Sequence, residues 1–386
     1  MKYMSKLVIL IVYITKPDIR YGIGGVRKFL TLFSSFAISR SIKIQYCTMF
    51  SKPLNFGFLN PACNFIFAIR LLIVLLRLHK DSGVRYVLYV HDAFYSGFVA
   101  ILASKIKKMP VILHYHNSPS LCFLSASSNT FLARIGYVII HLVEKYVLKH
   151  SHAIIVTNYT LKKLICRLGV VEKRITVLPM PVPLRNLQVD FDRFSVCCKL
   201  NIPSNSFIIG YVGRLSSEKN LDILIKAFSM LMEETGDSNM RCILVGDGLE
   251  RRRLEDLVAK LKLNDFVVFM GFRLDIPLIL NVLDVFVLPS KTEGSPLALI
   301  EAMAAGKCIV ASNIPAIREI VENGKDALLF NPSSPEQLKK VLLTLRNNPL
   351  LRRMLIENAR RKAEQYDVNV ILPKIISICM GVDTYS

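Results

Sequence analysis

Short β-rich apolar runs alternate with helix-length segments along the whole chain, and this alternation limits the fold more than any other feature. In the first half the strand candidates are Leu7–Ile14, Ile42–Tyr46, Tyr86–Val90, Val111–His114, Ala153–Val156 and Ile175–Leu178. Helical patterns lie between them, as at Val26–Ser39, Ser96–Ile106 and Phe131–Lys149. Such an order argues for α/β architecture, with parallel sheets covered by helices.

The alternation stalls at VLPMPVPLRN, Val177 to Asn186, and no clean periodicity resumes until Phe207. Three prolines at 179, 181 and 183 make this the best linker candidate. Strand candidates then restart at Ile208–Val212, Cys242–Val245, Val267–Met270, Val285–Leu288, Ile309–Ala311 and Ala327–Leu329. The expected architecture is two Rossmann-like domains facing each other across a cleft, with ligands at the carboxyl ends of the strands. The boundaries fall at 1–185 and 186–365, and residues 366–386 form a terminal helix expected to pack back toward the first domain.

At 386 residues, 52% of them hydrophobic, the chain can bury two cores, and disorder is excluded. Its net charge of +21 is unevenly placed. Residues 1–190 carry 25 Lys and Arg against 6 Asp and Glu, whereas residues 191–386 carry 25 against 23. Segregation of this kind suggests that the first half meets an anionic surface. Nine cysteines without metal-like or disulfide-like spacing suit a reduced, cytoplasmic protein. The apolar run near the N-terminus resembles a signal peptide but lacks a small-residue cleavage site and reads as a buried first strand. The stretch Phe65 to Leu78, interrupted by Arg70 and Arg77, is too short to span a bilayer. It reads as a buried helix or one lying at a membrane surface.

Four places carry candidate chemistry. In TEGSPLALIEAMAAG, Ser295 is expected as the N-cap and Pro296 as the first residue of a helix ending at Ala305, before Gly306. That helix would open at a strand's carboxyl end, where Gly294 admits close backbone approach and free N–H groups attract phosphate or hydroxyls. Glu293 stands before it and Glu301 inside it. Eight helical residues rise about 12 Å, whereas hydrolytic carboxylate pairs lie about 5 Å or about 6.5–9.5 Å apart. The spacing suits two grips on one extended ligand. In GYVGRLSSEKN, Gly213 makes a turn and Arg214 and Lys219 flank the loop before the next helix, a pair able to clamp a diphosphate. A lysine at a helix N-terminus is disfavoured unless an anion is present. VGDGLE follows a strand as well, and a tight βα turn explains it equally well. In the first half, Gly22, Gly24 and Gly25 precede a helix, as a phosphate or sugar approach site would require. His114 and His116 end a strand on one face, and His91-Asp92 ends the strand before it. No further ligand at zinc-like spacing accompanies the two histidines, so no metal is expected.

Assembled, GYVGRLSSEKN, VGDGLE, FMGF and EGSPLALIEAMAAGKCIVAS closely resemble the retaining glycosyltransferases of family 4, which have the GT-B fold. Order and intervals match across residues 207–332, with GIGGV and His116-Asn117 as looser matches in the first half. The resemblance implies transfer of a hexose-type sugar from a nucleotide-sugar donor to a glycan or lipid-linked acceptor in cell-surface polysaccharide synthesis. It implies that Arg214 and Lys219 hold the diphosphate, Glu301 the ribose, and Glu293 with the backbone of Gly294, Ser295, Pro296 and Leu297 the sugar hydroxyls. Phe272 and Arg273 would border the base, Gly24 and Gly25 would approach the phosphates, and His116 would face the reacting sugar. No metal or other cofactor is implied. Met180-Pro181 stands where the family has Asn-Gly, and the basic first half adds an anionic membrane face, placing the protein at the inner surface of a membrane. The rival readings are a double-Rossmann nucleotide-sugar enzyme without a glycan acceptor and a basic nucleic-acid-binding protein. The second leaves the glutamates and glycine turns unexplained and shows no binding module, so nucleic acid is not an expected partner.

Overall fold

The computed structural model describes residues 7–15, 25–50, 61–116, 118–120, 123, 131–187 and 192–382. The chain divides into two compact units, residues 1–181 with 369–386, and residues 182–368.

Each unit is built on a six-stranded parallel sheet. The first contains β1 (Leu7–Thr15), β2 (Lys43–Phe50), β3 (Arg85–Val90), β4 (Val111–Tyr115), β5 (Ala153–Val156) and β6 (Ile175–Val177), in the spatial order β2-β1-β3-β4-β5-β6. The second contains β7 (Phe207–Val212), β8 (Met240–Val245), β9 (Val267–Gly271), β10 (Val285–Leu288), β11 (Cys308–Ser312) and β12 (Leu328–Phe330), in the order β12-β11-β10-β7-β8-β9. Every expected strand is present within a few residues of its expected ends. Strands such as β10, whose four residues are all buried, read as continuous apolar runs because helices cover both sheet faces.

The connection order places the functional positions. Strands β8 and β9 lie on one side of β7, and β10 to β12 on the other, so the chain reverses direction between β7 and β10. Ligands of open α/β sheets bind at such a switch point, beyond the carboxyl ends of the strands. In the first sheet the reversal falls between β1 and β3. At the second unit's switch point β10 lies against β7, with Val285 paired to Ile209 and Phe286 to Gly210. A Cβ at Gly210 would meet the Leu283 side chain at 2.4 Å, so any larger residue here would require Leu283 to move.

The prolines at 179–183 coincide with the division between the units. The bulk of the helix Val368–Gly381 belongs to the first unit, where the Arg85 guanidinium donates to the Val382 carbonyl. The stretch expected at Phe65–Leu78 lies in the helix Pro61–Arg77, which buries Leu71 and Leu75 and exposes Ile69, Ile73 and Val74. No helix among the described residues is long and apolar enough to cross a membrane.

Candidate active site

Three loops meet at the carboxyl edge of the second sheet. Gly213 N–H donates to the Val245 carbonyl at 2.9 Å, Leu215 N–H to that of Asp247 at 3.0 Å, and Gly246 N–H to that of Gly271 at 2.8 Å. The loops after β7, β8 and β9 are thereby joined by backbone. A Cβ at Gly246 would lie 1.9 Å from the Gly213 carbonyl oxygen, and one at Gly248 would lie 2.2 Å from that of Leu215. The Gly-Asp-Gly turn is therefore glycine-rich because another loop presses against it.

The loops after β7 and β10 converge at the switch point. Lys219 Nζ lies 2.7 Å from Glu293 Oε1, with side-chain exposures of 20% and 6%. Ser290 Oγ donates to the same Oε1 at 2.6 Å. Among the described residues no hydrogen bond engages Glu293 Oε2, which leaves one carboxylate oxygen to accept from a ligand. The pair modifies the electrostatic expectation for Lys219, because the anion that offsets its position before a helix is Glu293 itself. Arg214 is exposed and makes no ion pair among the described residues. The Tyr211 hydroxyl donates to the Arg214 carbonyl at 2.9 Å. Its pKa is raised, first by burial and then by the charges of Glu293 and Glu218, and Arg214 opposes the rise. Arg214, Glu218 and Glu293 therefore share one neighbourhood.

Sequence reasoning missed two residues that shape this edge. Ser290, fully buried after β10, orients Glu293. Asn220, in the left-handed conformation at φ 56°, donates through Nδ2 to the Pro289 carbonyl at 3.1 Å and the Pro332 carbonyl at 2.9 Å. It ties the loop after β7 to those after β10 and β12. The only sequence signal for it was an asparagine immediately before a helix.

The helix carrying Glu301 runs Leu297–Ala304, one residue shorter at each end than expected. Ser295 is not its cap. Pro296 takes that position with ψ 78°, outside the helical range, and makes no side-chain cap bond. The Leu297 N–H turns back to the Ser295 carbonyl at 2.9 Å, so Ser295-Pro296-Leu297 is a tight backbone turn centred on Pro296. Gly306 adopts the left-handed conformation expected at the helix stop, with φ 69°. Glu301 is buried on this helix. Phe272 follows β9 and is exposed. The Arg273 guanidinium is held by both carboxylate oxygens of Asp275, at 2.8 and 2.5 Å. Only its backbone and the flank of its ion pair are therefore presented.

In the first unit Gly25 opens the helix Gly25–Ile38, and Gly22, Gly24 and Asn117 lie outside the described residues. His114 and His116 share a face as expected, their ring centres 4.2 Å apart. Linear spacing supplies no third ligand, but sheet pairing carries His91 alongside from the end of β3. Ligand nitrogens of His91, His114 and His116 all lie within 4.8 Å of one another. Their orientation does not suit a metal ion. His91 Nδ1 and His116 Nε2 are 2.9 Å apart with ring planes at 5° and ring centres 5.2 Å apart. That separation leaves about one ring radius at each end, so the rings are coplanar and their facing nitrogens share a proton. His114 lies face-on to His116, and its Nδ1 is 2.9 Å from the Tyr89 hydroxyl. An in-plane lone pair of one ring thus cannot converge with that of the ring stacked on it. Burial lowers the pKa of all three, with charge repulsion within the cluster added for His91 and His114, and brings His116 to about 4. The cluster is uncharged at neutral pH.

The family model of glycosyl transferases group 1 matches residues 197–362, and that of glycosyltransferase family 4 matches residues 39–186. An uncharacterized glycosyltransferase of Haemophilus influenzae is 35% identical over 162 residues, which are 42% of this chain and 45% of that protein. The UDP-Gal:alpha-D-GlcNAc-diphosphoundecaprenol alpha-1,3-galactosyltransferase of Escherichia coli is 30% identical over 49% of this chain and 51% of its own. These matches span about half the length of either relative. The crystal structure of Anabaena HepE in complex with UDP-glucose superposes with a TM-score of 0.74 at 20% identity, covering 97% of this chain and 99% of that one. The fold is GT-B.

Proposed function

The chain belongs to the group 1 glycosyltransferases, and from that premise we propose a retaining enzyme that moves a hexose from a nucleotide sugar to a lipid-linked acceptor in surface polysaccharide synthesis. The observation that carries this reading is the Lys219–Glu293 pair at the second sheet's switch point, with the unpaired Arg214 beside it. Arg214 and Lys219 take the donor diphosphate and neutralise the charge that grows as it departs, which a metal ion would otherwise do. Glu293 Oε2, with the Gly294–Leu297 backbone, takes the sugar hydroxyls. Glu301 takes the ribose, Phe272 and Arg273 border the base, and Gly24, Gly25 and His116 are the first unit's contribution. The E. coli relative acts on a diphosphoundecaprenol-linked substrate by its name, and the basic first unit suits such a lipid in an anionic membrane. The protein then works at the cytoplasmic face as a peripheral protein.

The test is transfer itself. Purified protein is offered UDP-, GDP- and dTDP-hexoses with a lipid-diphosphate-linked sugar in anionic vesicles containing EDTA. The expected result is a new glycosidic bond of the donor's anomeric configuration. Consumption of the donor without an acceptor product, or an inverted linkage, would overturn the reading.

A further inference from the structure

The histidine cluster of the first unit contains a residue with no assigned task. From its geometry we infer that His91 is a positioning residue: its Nδ1 occupies His116 Nε2, which leaves Nδ1 as the nitrogen that His116 presents to the donor sugar and ties the proton state of that atom to the state of His91. This rests on the placement of His116 at the sugar.

A neutral imidazole has one N–H and one bare nitrogen, and its tautomer is set by what the fixed nitrogen bonds. The coplanar contact at 2.9 Å admits one proton between His91 and His116. Once that proton is assigned to either ring, the state of His116 Nδ1 follows. Among the described residues no hydrogen bond engages His116 Nδ1, so this atom is the one left for a ligand.

The surroundings hold the arrangement from three sides. Directly after His91, the Asp92 carboxylate accepts from Phe94 N–H and Ser96 N–H, each at 3.0 Å, and from Ser96 Oγ at 3.2 Å. The same turn is closed by Gly97, where a Cβ would come within 2.5 Å of the Asp92 carbonyl oxygen. His91 therefore projects from a braced backbone. Beneath it, Phe29 meets the His91 ring at 5.3 Å and the His114 ring edge-on at 4.9 Å. His114, held by the Tyr89 hydroxyl, lies across the face of His116 and prevents the ring from turning over. Sugar hydroxyls donate and accept, so a histidine whose tautomer wandered would meet a given hydroxyl correctly only part of the time.

The experiment uses the full chain labelled with 15N-histidine and two crossed substitutions. His91→Phe keeps the bulk and removes the nitrogen. His91→Asn loses bulk and keeps a hydrogen-bonding atom near the Nδ1 position. Long-range 1H–15N spectra read the tautomer of His116, whose signal is assigned by its loss in His116→Gln. The expected result is a single tautomer in the natural protein and in His91→Asn, and mixed tautomers in His91→Phe. Turnover should fall about 10²-fold in His91→Phe with the donor KM little changed, and His91→Asn should recover most of it. An unchanged tautomer in His91→Phe overturns the inference, as does a pattern in which Phe preserves turnover and Asn does not, since bulk is then what matters. If His116→Gln itself turns over at the full rate, the placement of His116 at the sugar fails and the lock has no catalytic meaning, even where the spectra show it.

Discussion

The two units reverse the relation between overall charge and local charge. The first is strongly basic, yet at the ends of β3 and β4 it gathers three imidazoles that stay neutral. The second is nearly balanced, yet its switch point brings together Lys219, Glu293 and the unpaired Arg214. Net charge describes the surface that a unit offers to a large partner. Burial and pairing decide what a site offers to a small one.

The contrast between the units depends most on the ion pair. Lys219→Ala should lower transfer by about 10²–10³-fold. Because it strands the nearly buried Glu293, it should also lower unfolding stability by about 3–5 kcal/mol. Glu293→Gln should cost comparable activity but less stability, since a neutral amide replaces the carboxylate. Chemical denaturation of the two single variants and the double variant separates these contributions, and additive losses would mean that the pair is not coupled.

Steric contact should come next. Gly246→Ala places a Cβ on the Gly213 carbonyl at a φ of 128° and should destabilise the second unit by about 1–3 kcal/mol. Gly236→Ala, at φ 60° in open space, should cost only about 1 kcal/mol. Equal melting temperatures for the two variants would remove the case that the loops are interlocked.

Acid should distinguish the units without mutation. His116 falls from an ordinary 6.5 to about 4 in the folded state, so between those values the unfolded chain binds more protons. Stability from this group is full above pH 6.5 and is lost progressively as pH falls toward 4. His91 and His114 shift in the same direction. Hydrogen exchange followed by mass spectrometry from pH 7 to pH 4.5 should show β3 and β4 opening before β7 and β10. Simultaneous opening would show that the cluster contributes little to the difference.

The smallest effect is expected at the rim. Arg273→Ala removes a half-exposed pair with Asp275 and should change stability by no more than about 1 kcal/mol. Donor KM is the measurement that registers it, if this flank borders the base as proposed.

The strands were legible because burial on both faces writes them as unbroken apolar runs, as in Ala153–Val156 and Val285–Leu288. Gly306 was legible from a local rule about helix ends. Partners across the sheet were not. Lys219 and Glu293 are 74 residues apart and meet only because β10 inserts beside β7. His91 reaches His116 because β3 and β4 pair with Val90 opposite Leu113. Linear spacing contains neither fact. Ser295 failed as a cap because Pro296 left the helical region and the backbone closed its own turn, a competition between two local rules that sequence alone did not rank.

The 1.9 Å approach between a Cβ at Gly246 and the carbonyl of Gly213 also bears on how this protein can diversify. Gly246 and Gly248 cannot acquire a side chain until the loop after β7 has moved, and a Cβ at Gly213 would meet the Tyr211 hydroxyl at 2.4 Å, so single substitutions at these glycines are disfavoured routes. Phe272, at the end of the next strand, is exposed and has no such constraint. With the base placed there as proposed, descendants that come to accept a different nucleotide should differ first at that rim, with the glycines retained.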